Sequence, residues 1–88
     1  MTLVDVLEIF KDKIICLNYN GVTLFVRKEN FEISDGQVTC CLSNENKTGF
    51  CVVFRDNREF YFDEKFDNYV AKKTNEFDVF ISVEERLI

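Results

Sequence analysis

Apolar positions along this chain change their period several times, and each change marks an element. Leu3, Val6, Leu7 and Phe10 fall at i, i+3, i+4 and i+7, the single stripe of an amphipathic helix. Thr2 stands where an N-cap belongs, and Asp5 three residues on makes an acidic variant of the capping box. Asp5 and Glu8 come early while Lys11 and Lys13 come late, as the helix dipole prefers. A helix is therefore predicted over residues 2–12.

The period then shortens to two. Residues 14–19 and 22–27 are β-prone runs flanking Asn20-Gly21, the dipeptide that best tolerates the positive φ angles of a type I′ turn. A two-residue loop sets Tyr19 against Val22, Leu17 against Leu24 and Ile15 against Val26, and that shared face is wholly apolar. The opposite face pairs Cys16 with Phe25 and Asn18 with Thr23, a mixed surface. A second turn at Asp35-Gly36 sets Ile33 against Val38 and Phe31 against Cys40.

Residues 43–49 read as a polar loop, where Asn44, Asn46 and Lys47 are placed to make contacts. Residues 50–55 follow as a strand apolar on both sides, and Asp56-Asn57 turns the chain into a strand over 59–62. Phe50, Val52, Phe54 and Tyr61 are expected on one face, with Cys51, Val53, Phe60 and Phe62 on the other. Asp63 is placed to cap a short helix over 64–73 with Phe66, Tyr69 and Val70 on one side. The last strand is predicted over 77–83, and the tail 84–88 either frays or extends a sheet edge.

The sum is one domain over residues 1–88, of α+β class. It has an N-terminal helix, an antiparallel meander of about six to seven strands, and a short helix before the last strand. Two short helices cover one face of such a sheet. The other face then needs closure into a half-barrel, a second copy of the chain or a different partner. Cys16, Phe25, Val53 and Phe60 are the candidate residues of an oligomer interface.

Composition narrows the chemistry more than it names it. Eleven basic residues against 16 acidic give a net charge of −5, with no Lys/Arg cluster to grip a phosphate backbone. Direct nucleic-acid binding and anionic membranes are disfavoured, whereas a basic protein partner is not. The four cysteines lie in β-like runs, Cys40 and Cys41 are adjacent, and no signal-peptide pattern opens the chain. Reduced thiols in a cytoplasmic protein are expected on that ground. The sequon at Asn46 bears only on a secreted chain.

With no histidine, the usual general base and the commonest metal ligand are missing. The three glycines, Gly21, Gly36 and Gly49, are all accounted for by turns, so no phosphate loop remains. The cysteine spacing lacks a zinc knuckle. No enzyme activity, metal or cofactor is expected. What remains is an acidic patch of Asp56, Glu59, Asp63, Glu64 and Asp67, rimmed by Tyr61, that docks onto a basic groove. In composition the chain resembles phage and mobile-element inhibitors that compete with nucleic acid for such grooves, or immunity partners of toxins. The surplus of ten Phe and three Tyr supports an alternative, a small-ligand sequestering or sensing module with pockets between protomers.

Overall fold

The computed structural model describes residues 1–43, 49–55 and 58–86. Helix α1 (Leu3–Ile9) is followed by strands β1 (Ile15–Tyr19) and β2 (Val22–Val26), then a 3-10 turn (Lys28–Asn30). The chain continues through β3 (Phe31–Ser34), β4 (Gln37–Ser43), β5 (Gly49–Arg55), β6 (Phe60–Asp63), β7 (Asn68–Ala71) and β8 (Ile81–Glu85). These eight strands form a five-stranded sheet ordered β2-β1-β8-β7-β6 and a three-stranded sheet ordered β3-β4-β5. The architecture is α+β and mainly antiparallel, but the expected single meander is divided in two. No half-barrel forms among the described residues.

Local chemistry explains where α1 starts and stops. The Asp5 N–H donates to Thr2 Oγ1 (3.4 Å), and the Thr2 N–H donates back to Asp5 Oδ2 (2.9 Å). Leu3, Val6, Leu7 and Phe10 are buried, the stripe read from the sequence. The helix ends at Ile9, earlier than the expected residue 12. The Phe10 and Lys13 N–H groups reach back only three residues, to the carbonyls of Leu7 and Phe10. That tightening turns the chain toward β1.

Both glycine turns form as expected. Asn20 and Gly21 have φ of +48° and +92°, and Asp35 and Gly36 have +50° and +74°. The first hairpin pairs Tyr19 with Val22, Leu17 with Leu24 and Ile15 with Val26. The second pairs Ile33 with Val38 and Phe31 with Cys40.

Four expectations are corrected in the second half of the chain. The helix over 64–73 is absent, and β6 and β7 instead form a hairpin pairing Tyr61 with Val70 and Phe62 with Tyr69. Asp63 caps a turn rather than a helix, since its Oδ1 accepts the Lys65 N–H at 3.0 Å. Asp67 adopts φ +52°, which breaks helix geometry and suits a short polar side chain. The aromatic and β-branched pair Tyr69-Val70 then joins the sheet, burying Val70.

The last strand begins later than residue 77. Asp78 Oδ2 accepts from the Thr74 N–H (2.6 Å), Thr74 Oγ1 (2.7 Å) and the Asn75 N–H (3.4 Å), tying residues 74–78 into a loop. Glu84 and Glu85 do not extend an edge, because β8 lies in the sheet interior between β1 and β7; residues 87 and 88 lie outside the described residues. Glu84 and Glu85 pair with Cys16 and Ile15.

The third correction concerns the apolar faces of residues 50–62. β5 belongs to the three-stranded sheet and β6 to the edge of the other, so the run supplies no continuous surface. Val52 and Phe54 are buried while Cys51 and Val53 face out, and Phe60 is buried while Tyr61 is exposed.

The fourth correction is chemical. Cys41 and Cys51 form a disulfide across β4 and β5, at directly opposed positions with Cα atoms 4.2 Å apart. Adjacency of Cys40 and Cys41 does not oppose this, because alternate pleat positions send the Cys40 thiol into the core and the Cys41 sulfur outward. Cys16 and Cys40 carry free thiols, and burial raises the pKa of both. Four reduced thiols were one ground for a cytoplasmic chain, and that ground is removed.

One core cluster draws on α1 and both sheets. Ring contacts hold the layers together: Phe10 meets Tyr69 edge-on at 5.8 Å, and Tyr19 meets Phe54 edge-on at 5.5 Å. Outside this core, no helix among the described residues is long and apolar enough to cross a membrane.

Candidate functional site

Among the described residues, two places concentrate charged and aromatic side chains. The first is the tip of the β6–β7 hairpin, where residues 64–67 connect two strands at the border of the five-stranded sheet. The Asx turn at Asp63 and the left-handed backbone at Asp67 bend the chain sharply, gathering Asp63, Glu64 and Asp67 in one turn. Phe66 sits among them at 63% exposure, with Lys65 Nζ 5.4 Å from its ring centroid. Tyr61 is half-exposed on the adjoining outer face, and Phe62 leans on Tyr69 with centroids 5.0 Å apart.

β6 is an edge strand, and one end of that edge is occupied. The Phe60 N–H donates to the Met1 carbonyl (2.6 Å), and the Met1 ammonium donates to the Phe60 carbonyl (3.4 Å). Because hydrogen-bonding direction alternates along a strand, the backbone of Phe62 faces the same open side.

The sequence-expected patch is thus brought together only in part. Asp63, Glu64, Asp67 and Tyr61 cluster at and beside the tip. Glu59 lies before the other end of β6, four positions from Asp63, and its carbonyl accepts the Lys72 N–H (2.7 Å). Asp56, with Asn57, lies outside the described residues, as do Asn44, Asn46 and Lys47.

The four interface candidates are scattered. Cys16 and Phe25 are paired neighbours on the outer face of the five-stranded sheet, where the Arg86 guanidinium covers the Phe25 ring at 4.1 Å. Val53 is on the outward face of the three-stranded sheet, and Phe60 is in the core at 3% exposure.

The second place is a cleft of about 670 Å³ where the end of β5 approaches the start of β6 and the loop before β8. Among the described residues, Arg55, Arg58 and Lys72 line it with Glu59 and Asp78. Tyr19, Phe54, Phe60 and Phe77 supply aromatic wall. The buried Nε and Nη2 of Arg58 have no hydrogen-bond partner among the described residues. Hydrogen bonds from the Thr74 hydroxyl and backbone hold the Asp78 carboxyl below its usual range, with a lesser contribution from the Arg58 charge.

Sequence reasoning did not find this cleft. Its residues are spread from Tyr19 to Ile81, and only the closing of two sheets brings them together. The nearest sequence signal was the surplus of aromatic residues. Among the described residues, no group of three or more ligating side chains is placed to hold a metal ion.

No family model matches this chain, and neither a curated protein nor a solved structure does so.

Proposed function

We propose that the protein is a non-enzymatic acidic interaction module that seats its β6–β7 hairpin on a basic protein surface and occludes it. One observation carries this reading: Asp63, Glu64 and Asp67 share a turn with the exposed Phe66, at the corner of a sheet whose edge is partly open. Carboxylates at such a corner steer the encounter with a cationic partner, and the net charge of −5 adds to the pull. Phe66, Tyr61 and Phe62 then provide aromatic area of the kind that anchors interfaces. Basic surfaces are those that hold phosphates, so a protein seated there competes with nucleic acid for the same Lys and Arg side chains.

The test is to capture the partner by cross-linking, identify it by mass spectrometry, and measure its affinity at two salt concentrations. Glu64→Lys with Asp67→Asn is compared with Asp12→Lys with Glu29→Gln, which makes the same charge change at exposed sites elsewhere. Asparagine is chosen at 67 because it tolerates the left-handed backbone. The tip variant is expected to lose about tenfold in affinity at low salt and less at high salt. Equal losses in both variants would leave only net charge and overturn the site. A dimer of the chain itself, dissociated by the tip variant, would assign this corner to a second copy instead.

A further inference from the structure

We infer that the chain forms a two-fold dimer through the edge of β2, which pairs antiparallel with the same strand of a partner protomer about Leu24 as midpoint. The β6–β7 tip lies at the opposite edge of the same sheet, so the dimer is independent of tip binding and leaves both tips at its far ends.

The five-stranded sheet has two edges, and they are guarded differently. At β6 the Met1 backbone occupies that of Phe60, and Asp63 and Glu64 put charge at the strand's end. Strand β2 reads Val-Thr-Leu-Phe-Val, with no charge, proline or glycine, in a chain of which 31% is charged. Val22 is 46% exposed and Phe25 51%. An apolar edge without such guards is a template for pairing with another chain.

The alternation of hydrogen bonds along β1 identifies the open groups of β2. The Asn20 N–H donates to the Phe80 carbonyl, and the Arg86 N–H donates to the Ile14 carbonyl. Even-numbered positions along β1 therefore face β8, and odd-numbered ones face β2. Ile15, Leu17 and Tyr19 pair with Val26, Leu24 and Val22, which turns the backbones of Thr23 and Phe25 outward. Both ends of this stretch are closed. Asn18 Oδ1 accepts the Gly21 N–H (3.0 Å), and Asn30 Oδ1 accepts the Arg27 N–H (2.8 Å). Between them, no bond from another described residue reaches the outward N–H and C=O groups of Thr23 and Phe25.

Those four groups are placed symmetrically about Leu24, and the symmetry selects the occupant. In an antiparallel pair centred there, Thr23 of each protomer exchanges both backbone bonds with the partner's Phe25, so every open group finds a mate. Centring the pair on Thr23 or Phe25 would set an open residue against Gly21 or Arg27, whose N–H groups are already engaged. About Leu24, the half-buried Leu24 meets the partner's Leu24, and the exposed Val22 meets the partner's Val26. The nearest charges, Arg27 and Lys28, come opposite the partner's Gly21 and Asn20, so no like charges confront each other. Gly21 also has no side chain to collide with the 3-10 turn at Lys28–Asn30. Two five-residue strands make a small interface, below roughly 1,200 Å² in total, so a dissociation constant on the order of 0.1 mM is expected.

The experiment is sedimentation velocity and amide NMR of the full chain from about 10 μM to 1 mM, a range that brackets that affinity. Non-reducing electrophoresis sets aside any dimer linked through the free Cys16 thiol. The mass should double with concentration and grow no further. Exchange protection at Thr23 and Phe25 should rise in step, while Leu24 and Val26, already bonded to β1, should change little. Phe25→Pro removes an outward N–H without breaking a bond inside the protomer and should weaken the dimer about tenfold or more. Thr23→Lys, at an exposed position, sets a charge against the partner's Phe25 and should weaken it too, which covers a proline variant that fails to fold. Glu64→Lys with Asp67→Asn should leave the dimer intact.

A chain that stays monomeric at the top of the range overturns the inference. So does growth beyond two copies, which would mean that unlike edges join. A dimer indifferent to both β2 variants, or weakened as much by the tip variant, moves the contact elsewhere and overturns it as well.

Discussion

The two sheets obey the same alternation of apolar and polar positions but are held together by different means. In the five-stranded sheet, β1 and β8 are flanked on both sides, and Ile15, Leu17 and Val83 are fully buried. In the three-stranded sheet only β4 has two neighbours. Its Val38 and Cys40 are fully buried, but Ile33 on β3 is 54% exposed although it shares their face. The small sheet carries the disulfide and the large one has none among the described residues. Where strands are few, a covalent bond does part of the work that packing does elsewhere.

Leu17→Ala gives the sharpest break of this contrast. It opens a cavity at the centre of the large sheet and should cost about 2–5 kcal/mol, read by urea denaturation. Ile33→Ala, on the small sheet, should cost about 1 kcal/mol or less, since most of that side chain already meets water. Similar losses at the two sites would erase the distinction.

Reducing the disulfide comes next. Cys41 and Cys51 close a loop of 10 residues' separation, for which chain entropy gives about 2–3 kcal/mol. Hydrogen exchange should quicken in β4 and β5 before β1 and β8. Uniform acceleration would mean that the bond braces the whole molecule rather than its smaller sheet.

The smallest effect is electrostatic. Asp5 is held below the usual carboxylate range by the Thr2 backbone N–H, Glu8 by its hydrogen bond with Lys28, and Asp78 by the Thr74 hydroxyl. A depressed pKa in the folded chain adds stability that is present above the unfolded value and is lost as pH falls through the folded one. Stability should therefore decline on acidification below about pH 4, where these carboxylates protonate. Asp5→Asn should flatten that decline, and Glu32→Gln, on an exposed strand position, should not.

Much of the first half of the chain was legible because its signals are local. Asn20-Gly21 and Asp35-Gly36 fix turn type and register within a few residues, and the Thr2–Asp5 box fixes a helix start. The hairpin at 60–71 was misread because Phe66, Tyr69 and Val70 fit a helical stripe as well as they fit a strand. The competing signal was Asp67-Asn68, a turn-forming pair inside the supposed helix. The disulfide was hidden because nothing in the sequence between β4 and β5 specifies their register as an Asn-Gly or Asp-Gly turn does. Asp63, Glu64 and Asp67 are neighbours in sequence, but the helix expected there hid the turn that carries them, and the position of Glu59 at the other end of β6 was not legible. The cleft was illegible since it exists only where distant segments converge.

Neighbouring cysteines at 40 and 41 turn the staple into a check on alignment. A slip of β4 by one residue would bring the sulfur of Cys40 to the rim and drive that of Cys41 inward, turning the strand's whole greasy side toward water. Oxidation that waits for the ladder to form joins the right pair; oxidation that runs ahead of it has two thiols to choose from and traps the strand upside down when it takes the wrong one.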